Sequence, residues 1–290
     1  MKYANWNVPE RGAEIPHALL AAGCTPLLAA ILHLRGLSDP AAARSFLCGG
    51  AETLTNPLEL TGMVDAVQRL TRAVATGEHV AVYGDYDVDG ITAACLLTDY
   101  LRFRGLTCEL KIPDRIRDGY GLNTAAIDAL AEKGVTLIVT VDCGVTNLEE
   151  TAYAAQRGVD MIVTDHHECR EALPEAEAVV DPKQPDSSGV GTALAGVGVA
   201  FKLVCAMDGD ADKMLARYGD LVAVGTVADV MPLLGENRFI TRCGLQKIAA
   251  GDCRPGFLAL AEEAGVRDKP FTASTVGFSL APRINAAGRL

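Results

Sequence analysis

Residues 80–90 read Val80-Ala81-Val82-Tyr83-Gly84-Asp85-Tyr86-Asp87-Val88-Asp89-Gly90, an apolar run followed by alternating aspartates. An uninterrupted apolar run of this length is typical of a strand that a parallel sheet buries on both faces. The aspartates resemble the start of an EF-hand calcium loop, whose twelfth residue must be a bidentate glutamate. That position is Leu96, and a strand precedes the loop where a helix is required, so we exclude an EF-hand.

Four further short apolar runs follow the first, and helical patterns separate them. They lie at residues 110–112, 136–141, 161–163 and 178–180. Strands that alternate with amphipathic helices indicate a parallel sheet with helices on its faces. The sequence therefore predicts an α/β fold, in which helices flank a parallel sheet.

Helical patterns also lie on both sides of this region. Residues 19–37 and 41–46 are helical in pattern, and Ser38-Asp39-Pro40 offers an N-cap with proline in the first turn. Further helical patterns cover 194–207, 213–230, 239–250 and 257–264. We predict a small helical N-terminal extension at 1–55, an α/β domain at 56–235 and a helical C-terminal segment at 236–290.

The composition is that of a globular protein, with 49% hydrophobic and 22% charged residues. Its 26 Lys and Arg against 37 Asp and Glu give a net charge of −11, so a polyanionic substrate needs a local basic patch or bound cations. The nine cysteines form no CxxC pair, which argues against a disulfide framework or a zinc ribbon. The longest apolar stretch, 193–207, is interrupted by Lys202 and is too short to span a bilayer. We predict a cytoplasmic protein without a membrane segment.

The polar residues gather after the predicted strands. Asp85, Asp87 and Asp89 follow the first strand, Asp142 the third, and Asp165-His166-His167 the fourth, while a later helical segment carries Asp229. Because the carboxyl ends of parallel strands share one edge of the sheet, we expect these side chains to converge in one crevice. A single aspartate in such a place is commonly a helix N-cap.

A group of converging carboxylates needs counter-charges. Two carboxylates about 5 Å apart repel each other by roughly 3 kcal/mol at an effective dielectric constant near 20. Carboxylate and imidazole ligands without thiolates suit Mn²⁺ or Mg²⁺ better than structural zinc. Two such cations sharing a carboxylate would activate water for attack on a phosphoryl group.

Several motifs in this order identify a family resemblance. They lie at residues 37–40, 43–46, 83–92, 119–123, 165–167, 195–203 and 282–289. The chain resembles the DHH phosphoesterase superfamily, which is named for the triplet at 165–167, and within it the RecJ family of single-strand-specific exonucleases. This resemblance implies metal-dependent phosphodiester hydrolysis that removes nucleotides from the 5′ end of single-stranded DNA in DNA repair and recombination.

The resemblance also implies roles for individual residues, with two divalent cations, Mn²⁺ or Mg²⁺, as cofactors. Asp142 would bridge both cations and water would be the nucleophile, so that Asp142 and His167 are the predicted catalytic residues. His167 would donate a hydrogen bond to the scissile phosphate. The predicted metal ligands are Asp87, Asp89, Asp142, His166 and Asp229, and the residues predicted to orient them are Asp85 and Asp165. Asp181, which precedes Pro182, we interpret as a turn residue in preference to a metal ligand.

Two sets of residues could contact the substrate. Arg283, Asn285 and Arg289 combine guanidinium groups with an amide and could bind phosphate, whereas in isolation they would be a solvated helix end. Arg115, Arg117 and Tyr120 could guide a single strand by charge and stacking, or could simply form an exposed loop. Single-stranded DNA is thus the predicted partner, and no protein partner is indicated.

Other interpretations remain open. A phosphodiesterase for oligoribonucleotides or cyclic dinucleotides would share every ligand, and a non-catalytic scaffold would bind nucleic acid or a partner protein. A pyrophosphatase is disfavoured because related pyrophosphatases place a ligating histidine where this chain has Tyr83; one metal site should therefore be weaker or more hydrated. No third glycine completes a dinucleotide fingerprint at 189–191 or 196–198, so we predict no nicotinamide or flavin cofactor. RecJ relatives continue into a DHH-associated domain and an oligonucleotide-binding fold, and we expect the surface that grips long strands to lie beyond Leu290.

Overall fold

The computed structural model of the chain describes residues 15–115, 119 and 121–287. The chain divides into two compact units, Met1–Thr53 and Leu54–Leu290. The predicted domain boundaries, after residues 55 and 235, stay predictions.

The described part of the first unit consists of helices and one 3₁₀ turn. They are α1 (His17–Ala21), α2 (Pro26–Leu34), α3 (Pro40–Cys48) and the 3₁₀ turn Ala51–Thr53. The run at 19–37 thus forms two helices, because Gly23 adopts a left-handed conformation with φ of 89° and Thr25 caps a new helix by accepting a bond from the Leu28 N–H at 3.3 Å. Asp39 caps α3 as predicted, with 2.8 Å between its Oδ2 and the Ala42 nitrogen.

The second unit is built on a five-stranded parallel sheet with the order β2-β1-β3-β4-β5. The strands are β1 (His79–Gly84), β2 (Thr107–Lys111), β3 (Leu137–Val141), β4 (Asp160–Thr164) and β5 (Ala178–Val180). Each overlaps one predicted apolar run, although β2 begins three residues before the run predicted at 110–112 and ends at Lys111. The predicted α/β fold with a parallel sheet is therefore confirmed.

Helices cover both faces of this sheet. They are α4 (Met63–Thr76), α5 (Val88–Phe103), α6 (Thr124–Glu132), α7 (Leu148–Gln156), α8 (Gly196–Asp208) and α9 (Ala211–Ala228). Alternate residues of β1 enter two separate cores: Val80 and Val82 contact the core that contains α4, α5, α8 and α9, and Ala81 and Tyr83 contact the core of α6 and α7. This alternation is the period of two expected for a strand buried on both faces.

The remaining elements are helical and follow α9. They are α10 (Gly235–Ala250), α11 (Pro255–Glu263), α12 (Ala273–Thr275), a π-helix (Val276–Leu280) and α13 (Ala281–Ala287), and a 3₁₀ turn at Pro57–Glu59 precedes α4. α10 packs along α9, and α13 contacts α5. In the part of the chain that the structure describes, every helix is too short or too polar to cross a lipid bilayer.

Candidate metal centre

Four strands end level with one another, and an aspartate follows each of them. In sheet order, the register aligns Gly84 of β1 with Val141 of β3, Val141 with Thr164 of β4, and Thr164 with Val180 of β5. The next residues are Asp85, Asp142, Asp165 and Asp181, and all four are buried. Adjacent strands lie about 4.8 Å apart, so the carboxyl edge of the sheet carries a row of neighbouring carboxylates.

The backbone at Asp142 is strained. Its φ is 60°, in the left-handed region that non-glycine residues rarely adopt. Gly196, the first residue of α8, lies directly against it, since a Cβ at Gly196 would be 2.5 Å from the Asp142 Cβ and 2.6 Å from its Oδ1. The left-handed conformation and the close approach of α8 therefore position this carboxylate.

The loop between β1 and α5 supplies the next two carboxylates. Asp87 caps α5, with 3.0 Å between its Oδ1 and the Gly90 nitrogen. Asp89 lies in the first turn of α5 and accepts backbone hydrogen bonds with both oxygens, from Gly196 at 2.6 Å and from Val197 at 2.9 Å. Asp89 thus joins α5 to the N-terminus of α8 and faces Asp142.

His166 lies among three of these carboxylates. Its Nε2 is 3.0 Å from Asp142 Oδ1, 3.7 Å from Asp89 Oδ2 and 3.7 Å from Asp229 Oδ2. Asp229 comes from the C-terminal end of α9, where it is the C-cap residue. Although Nε2 and Asp142 Oδ1 are close, their orientation is not that of a hydrogen bond, and both atoms are buried without a hydrogen-bond partner among the described residues. A cation bound between these two atoms could be coordinated by both of them, whereas they do not form a hydrogen bond with each other.

Three groups of these side chains place ligand atoms within 4.8 Å of one another. They are Asp85 with Asp87 and Asp142, Asp89 with His166 and Asp229, and Asp142 with His166 and His167. Asp142 and His166 each belong to two groups, so the groups form one continuous centre. Oxygen and imidazole donors without a thiolate fit Mn²⁺ or Mg²⁺.

Asp165 holds the two histidines in place. Its Oδ1 accepts hydrogen bonds from the backbone N–H groups of His166 at 2.8 Å and His167 at 3.3 Å, and lies 2.7 Å from His167 Nδ1. Its Oδ2 accepts a hydrogen bond from the Val145 N–H at 3.0 Å. This geometry agrees with the orienting role expected for Asp165.

The pKa values of the carboxyl groups in this centre are shifted in opposite directions. Burial, followed by repulsion from Asp142 for Asp89 and from Asp87 for Asp142, holds the pKa of both carboxyls well above the ordinary value. Burial also raises the pKa of Asp85 to about 6. At Asp165 burial acts in the same direction, but the hydrogen bond and charge of His167 and the backbone donors outweigh it and lower its pKa. The hydrogen bond to Asp165 in turn raises the pKa of His167.

Residues 79–226, about half of the chain, match the N-terminal domain of the DHH family. The chain belongs to the DHH family. Among curated proteins, it is similar to the single-stranded-DNA-specific exonuclease RecJ of Bacillus subtilis strain 168, with 40% identity over 92% of this chain and 33% of the relative. The RecJ of Escherichia coli strain K12 is 42% identical over 80% of this chain and 42% of the relative. This DHH chain thus spans about a third to two fifths of the length of these relatives.

Solved RecJ structures share the fold of this DHH protein. RecJ of Thermus thermophilus in complex with Mn²⁺ superposes with a TM-score of 0.76 and 33% identity, covering 94% of this chain and 38% of that one. A second structure, of exonuclease RecJ bound to manganese, gives a TM-score of 0.70 and 37% identity, covering 82% of this chain and 59% of that one. The resemblance drawn from the motifs is therefore confirmed.

The residues predicted to contact substrate lie in different settings. Asn285 Oδ1 accepts a hydrogen bond from the Val88 N–H at 3.1 Å, so it binds the start of α5. Arg283 donates to the Ser279 carbonyl at 2.7 Å, within its own helical segment. The Arg115 guanidinium lies over the Tyr86 ring, 4.7 Å from its centroid. Arg117, Tyr120 and Arg289 lie outside the described residues, and the substrate role of all six stays a prediction.

Tyr83 lies on the face of the sheet covered by α6 and α7 and donates to the Gly121 carbonyl at 3.0 Å.

Sequence reasoning missed Gly225, where a Cβ would lie 3.0 Å from Asp89 Oδ1, and it missed the hydrogen bonds from the Gly196 and Val197 N–H groups to Asp89. The small residues of the motif at 195–203 were the available signal that the N-terminus of α8 lies close to Asp89.

Proposed function

We propose that this DHH protein is a metal-dependent phosphodiesterase that degrades single-stranded DNA. The observation that carries the proposal is the sharing of Asp142 and His166 between neighbouring groups of ligand atoms. A carboxylate that belongs to two such groups can bridge two cations, which is the arrangement used for in-line phosphoryl displacement.

We assign the cations to Mn²⁺ or Mg²⁺, because RecJ relatives of known structure are described as complexes with one or the other. Asp85, Asp87 and Asp142 would hold one cation, and Asp89, His166 and Asp229, together with Asp142, the other. When bound, the cations would lower the pKa of a coordinated water and neutralise charge on the phosphate. Asp85 thereby becomes a candidate ligand in addition to the orienting role that the family resemblance implied.

His167 is suited to the phosphate itself. Its side chain is 44% exposed and its Nδ1 is held by Asp165, which raises its pKa and favours the charged imidazolium. A positively charged donor at the rim of a carboxylate cluster stabilises negative charge that develops on a phosphoryl oxygen. The ring would therefore act on substrate, although it lies close enough to Asp142 and His166 to offer a ligand atom.

The choice of single-stranded DNA as substrate rests on the named activity of the relatives. The 5′-to-3′ direction and the role in repair and recombination come from the family resemblance of the motifs, and the cytoplasmic location from the cysteine pattern and the apolar stretches of the sequence. Arg115 stacked over Tyr86 presents a cationic and aromatic surface beside the Asp85–Asp89 loop, a combination that suits a strand entering the centre.

A nuclease assay tests the proposal. Single-stranded and duplex DNA of the same sequence, labelled at either end, are incubated with the chain in Mn²⁺ or in EDTA, with Asp142→Ala as control. We expect Mn²⁺-dependent release of nucleotides from the single strand, starting at the 5′ end, and none with Asp142→Ala. Faster cleavage of short oligoribonucleotides or cyclic dinucleotides would favour the alternative phosphodiesterase, and no cleavage of any substrate would favour a scaffold.

A further inference from the structure

Asp181 has two buried carboxylate oxygens, of which only one takes part in the turn that follows β5. It follows β5 directly, in register with Asp165, and only 1% of it is exposed. Its Oδ1 accepts a hydrogen bond from the Lys183 N–H at 2.8 Å, which accounts for the turn predicted at Asp181-Pro182. Its Oδ2 is buried and has no hydrogen-bond partner among the described residues. A buried carboxylate oxygen without a hydrogen-bond partner lowers the stability of the fold unless another group binds to it.

His166 has a ring nitrogen in the same condition. Its Nε2 faces Asp142, which follows β3, while its Nδ1 is buried without a hydrogen-bond partner in the described part of the chain. β4 lies between β3 and β5, and the two nitrogens are on different edges of the imidazole. Since Nε2 faces the β3 side, we expect Nδ1 to face the β5 side, from which Asp181 comes.

The charges around Asp181 are consistent with this pairing. Burial raises the pKa of Asp181 to about 6 and Asp165 adds to the increase, whereas His166 and Lys183 oppose it. Lys183 Nζ pairs with Glu168 at 3.2 Å. Cys169 also faces Asp181, and burial together with that carboxylate raises the pKa of its thiol to about 12. The Cys169 thiol can donate to Asp181, but a thiol is only a weak donor, so a stronger donor is still needed at this carboxylate.

We propose that Asp181 is a positioning residue for His166: its Oδ2 accepts the Nδ1–H of the ring, either directly or across one buried water. That bond places the proton on Nδ1 and leaves the Nε2 lone pair facing Asp142, Asp89 and Asp229, where a cation would bind. The inference rests on the proposed function and adds a residue that sequence reasoning interpreted as part of a turn.

Asparagine at position 181 separates this role from that of the turn. To keep the bond from the Lys183 N–H, the amide must direct its oxygen at that nitrogen and its NH₂ group at His166 Nδ1. The NH₂ group donates a hydrogen bond, so it favours the tautomer that carries the proton on Nε2, where the proton obstructs cation binding. Asp181→Asn should therefore preserve folding and weaken metal binding, whereas Asp181→Ala should weaken both.

Mn²⁺ affinity, measured by calorimetry on the full chain, is the first readout. We expect Asp181→Asn to lose about 10- to 100-fold in affinity, the range found when carboxylates behind ligating histidines are removed, with a urea midpoint no lower than that of wild type, because burial raises the pKa of Asp181 and asparagine cannot ionise. The exposed Asp186, changed to Asn, is the matched control and should bind like the wild type. An affinity of Asp181→Asn within twofold of wild type would show that Asp181 serves only the turn.

The tautomer of His166 is the second readout and requires no metal. Long-range ¹⁵N–¹H spectra of EDTA-treated protein, recorded well above the ordinary histidine pKa of about 6.5, should show Nδ1–H in the wild type and Nε2–H in Asp181→Asn. An Nε2–H tautomer in the wild type would overturn the proposal. If the wild type bound no Mn²⁺ at all, the proposed function would fail, and the spectra would still decide the role of Asp181.

Discussion

Replacing Asp85 by asparagine should stabilise the metal-free protein at neutral and alkaline pH. Asp85 is 4% exposed, its Oδ1 has no hydrogen-bond partner among the described residues, and Asp87 and Asp142 lie beside it. Burial raises its pKa from 3.8 to about 6. The ionised carboxylate is therefore disfavoured in the folded state and unopposed in the unfolded state.

The sign and size of the effect follow from proton linkage. Below the unfolded pKa both states hold the proton and the group costs nothing. As pH rises toward 6 the unfolded chain ionises first, so the folded state loses stability relative to it. A shift of about 2 pKa units at 1.36 kcal/mol each corresponds to about 3 kcal/mol. Asparagine cannot ionise and removes this loss.

Urea unfolding in EDTA, from about pH 4 to about pH 8, measures the effect as the difference between Asp85→Asn and wild type at each pH. Taking this difference cancels the titration of groups that both proteins share. The difference should be smallest near pH 4 and grow by about 3 kcal/mol toward pH 8. Asp186→Asn, an exposed control, should follow the wild type. A stability difference independent of pH would refute the reasoning, because a buried ionising carboxylate cannot produce it.

Three further results are expected. Asp142→Ala should abolish DNA hydrolysis in the nuclease assay while circular dichroism shows a folded chain, because it removes the shared carboxylate and relieves repulsion; a tenth or more of wild-type turnover would contradict a bridging role. Mn²⁺ should raise the melting temperature of wild type and of His167→Ala but much less that of His166→Ala, and His167→Ala should still lose rate; equal loss of Mn²⁺ stabilisation in both variants would make His167 a ligand. Gly196→Ala should lower the free energy of unfolding by about 1–3 kcal/mol in urea titrations, since its Cβ would overlap Asp142; an unchanged midpoint would show that α8 can move away freely.

The sequence predicted the fold and the location of the centre because both depend on local patterns. Uninterrupted apolar runs mark strands buried on both faces, and the carboxyl ends of parallel strands must share an edge. The convergence of Asp142 and His166 therefore followed from their places after β3 and β4, whereas Asp229, at the end of α9, was expected there only from the family resemblance. The break within residues 19–37 also had a local signal, in Gly23 and in Thr25 before Pro26, that the apolar pattern obscured.

Contacts between distant segments could not be predicted in this way. The bonds from the Gly196 and Val197 N–H groups to Asp89, and from the Val88 N–H to Asn285, depend on how α8 and α13 pack against α5. Whether Asp181 completes a turn or supports a histidine depends on the alignment of β4 with β5 to the residue. A pattern of residue types indicates that a strand exists, but its register with the neighbouring strand is set by the packing of the whole sheet.

The order of the candidate metal ligands along the chain determines when during synthesis the centre can be completed. Residues leave the ribosome from the N-terminus, so Asp85, Asp87 and Asp89 are synthesised first and Asp229, at the end of α9, last. A nascent or prematurely terminated chain that stops ahead of α9 carries most of the acidic groups without the complete set of ligands. The nuclease that we propose would therefore become able to cut DNA only after its sheet and α9, with Asp229 at its end, have been synthesised.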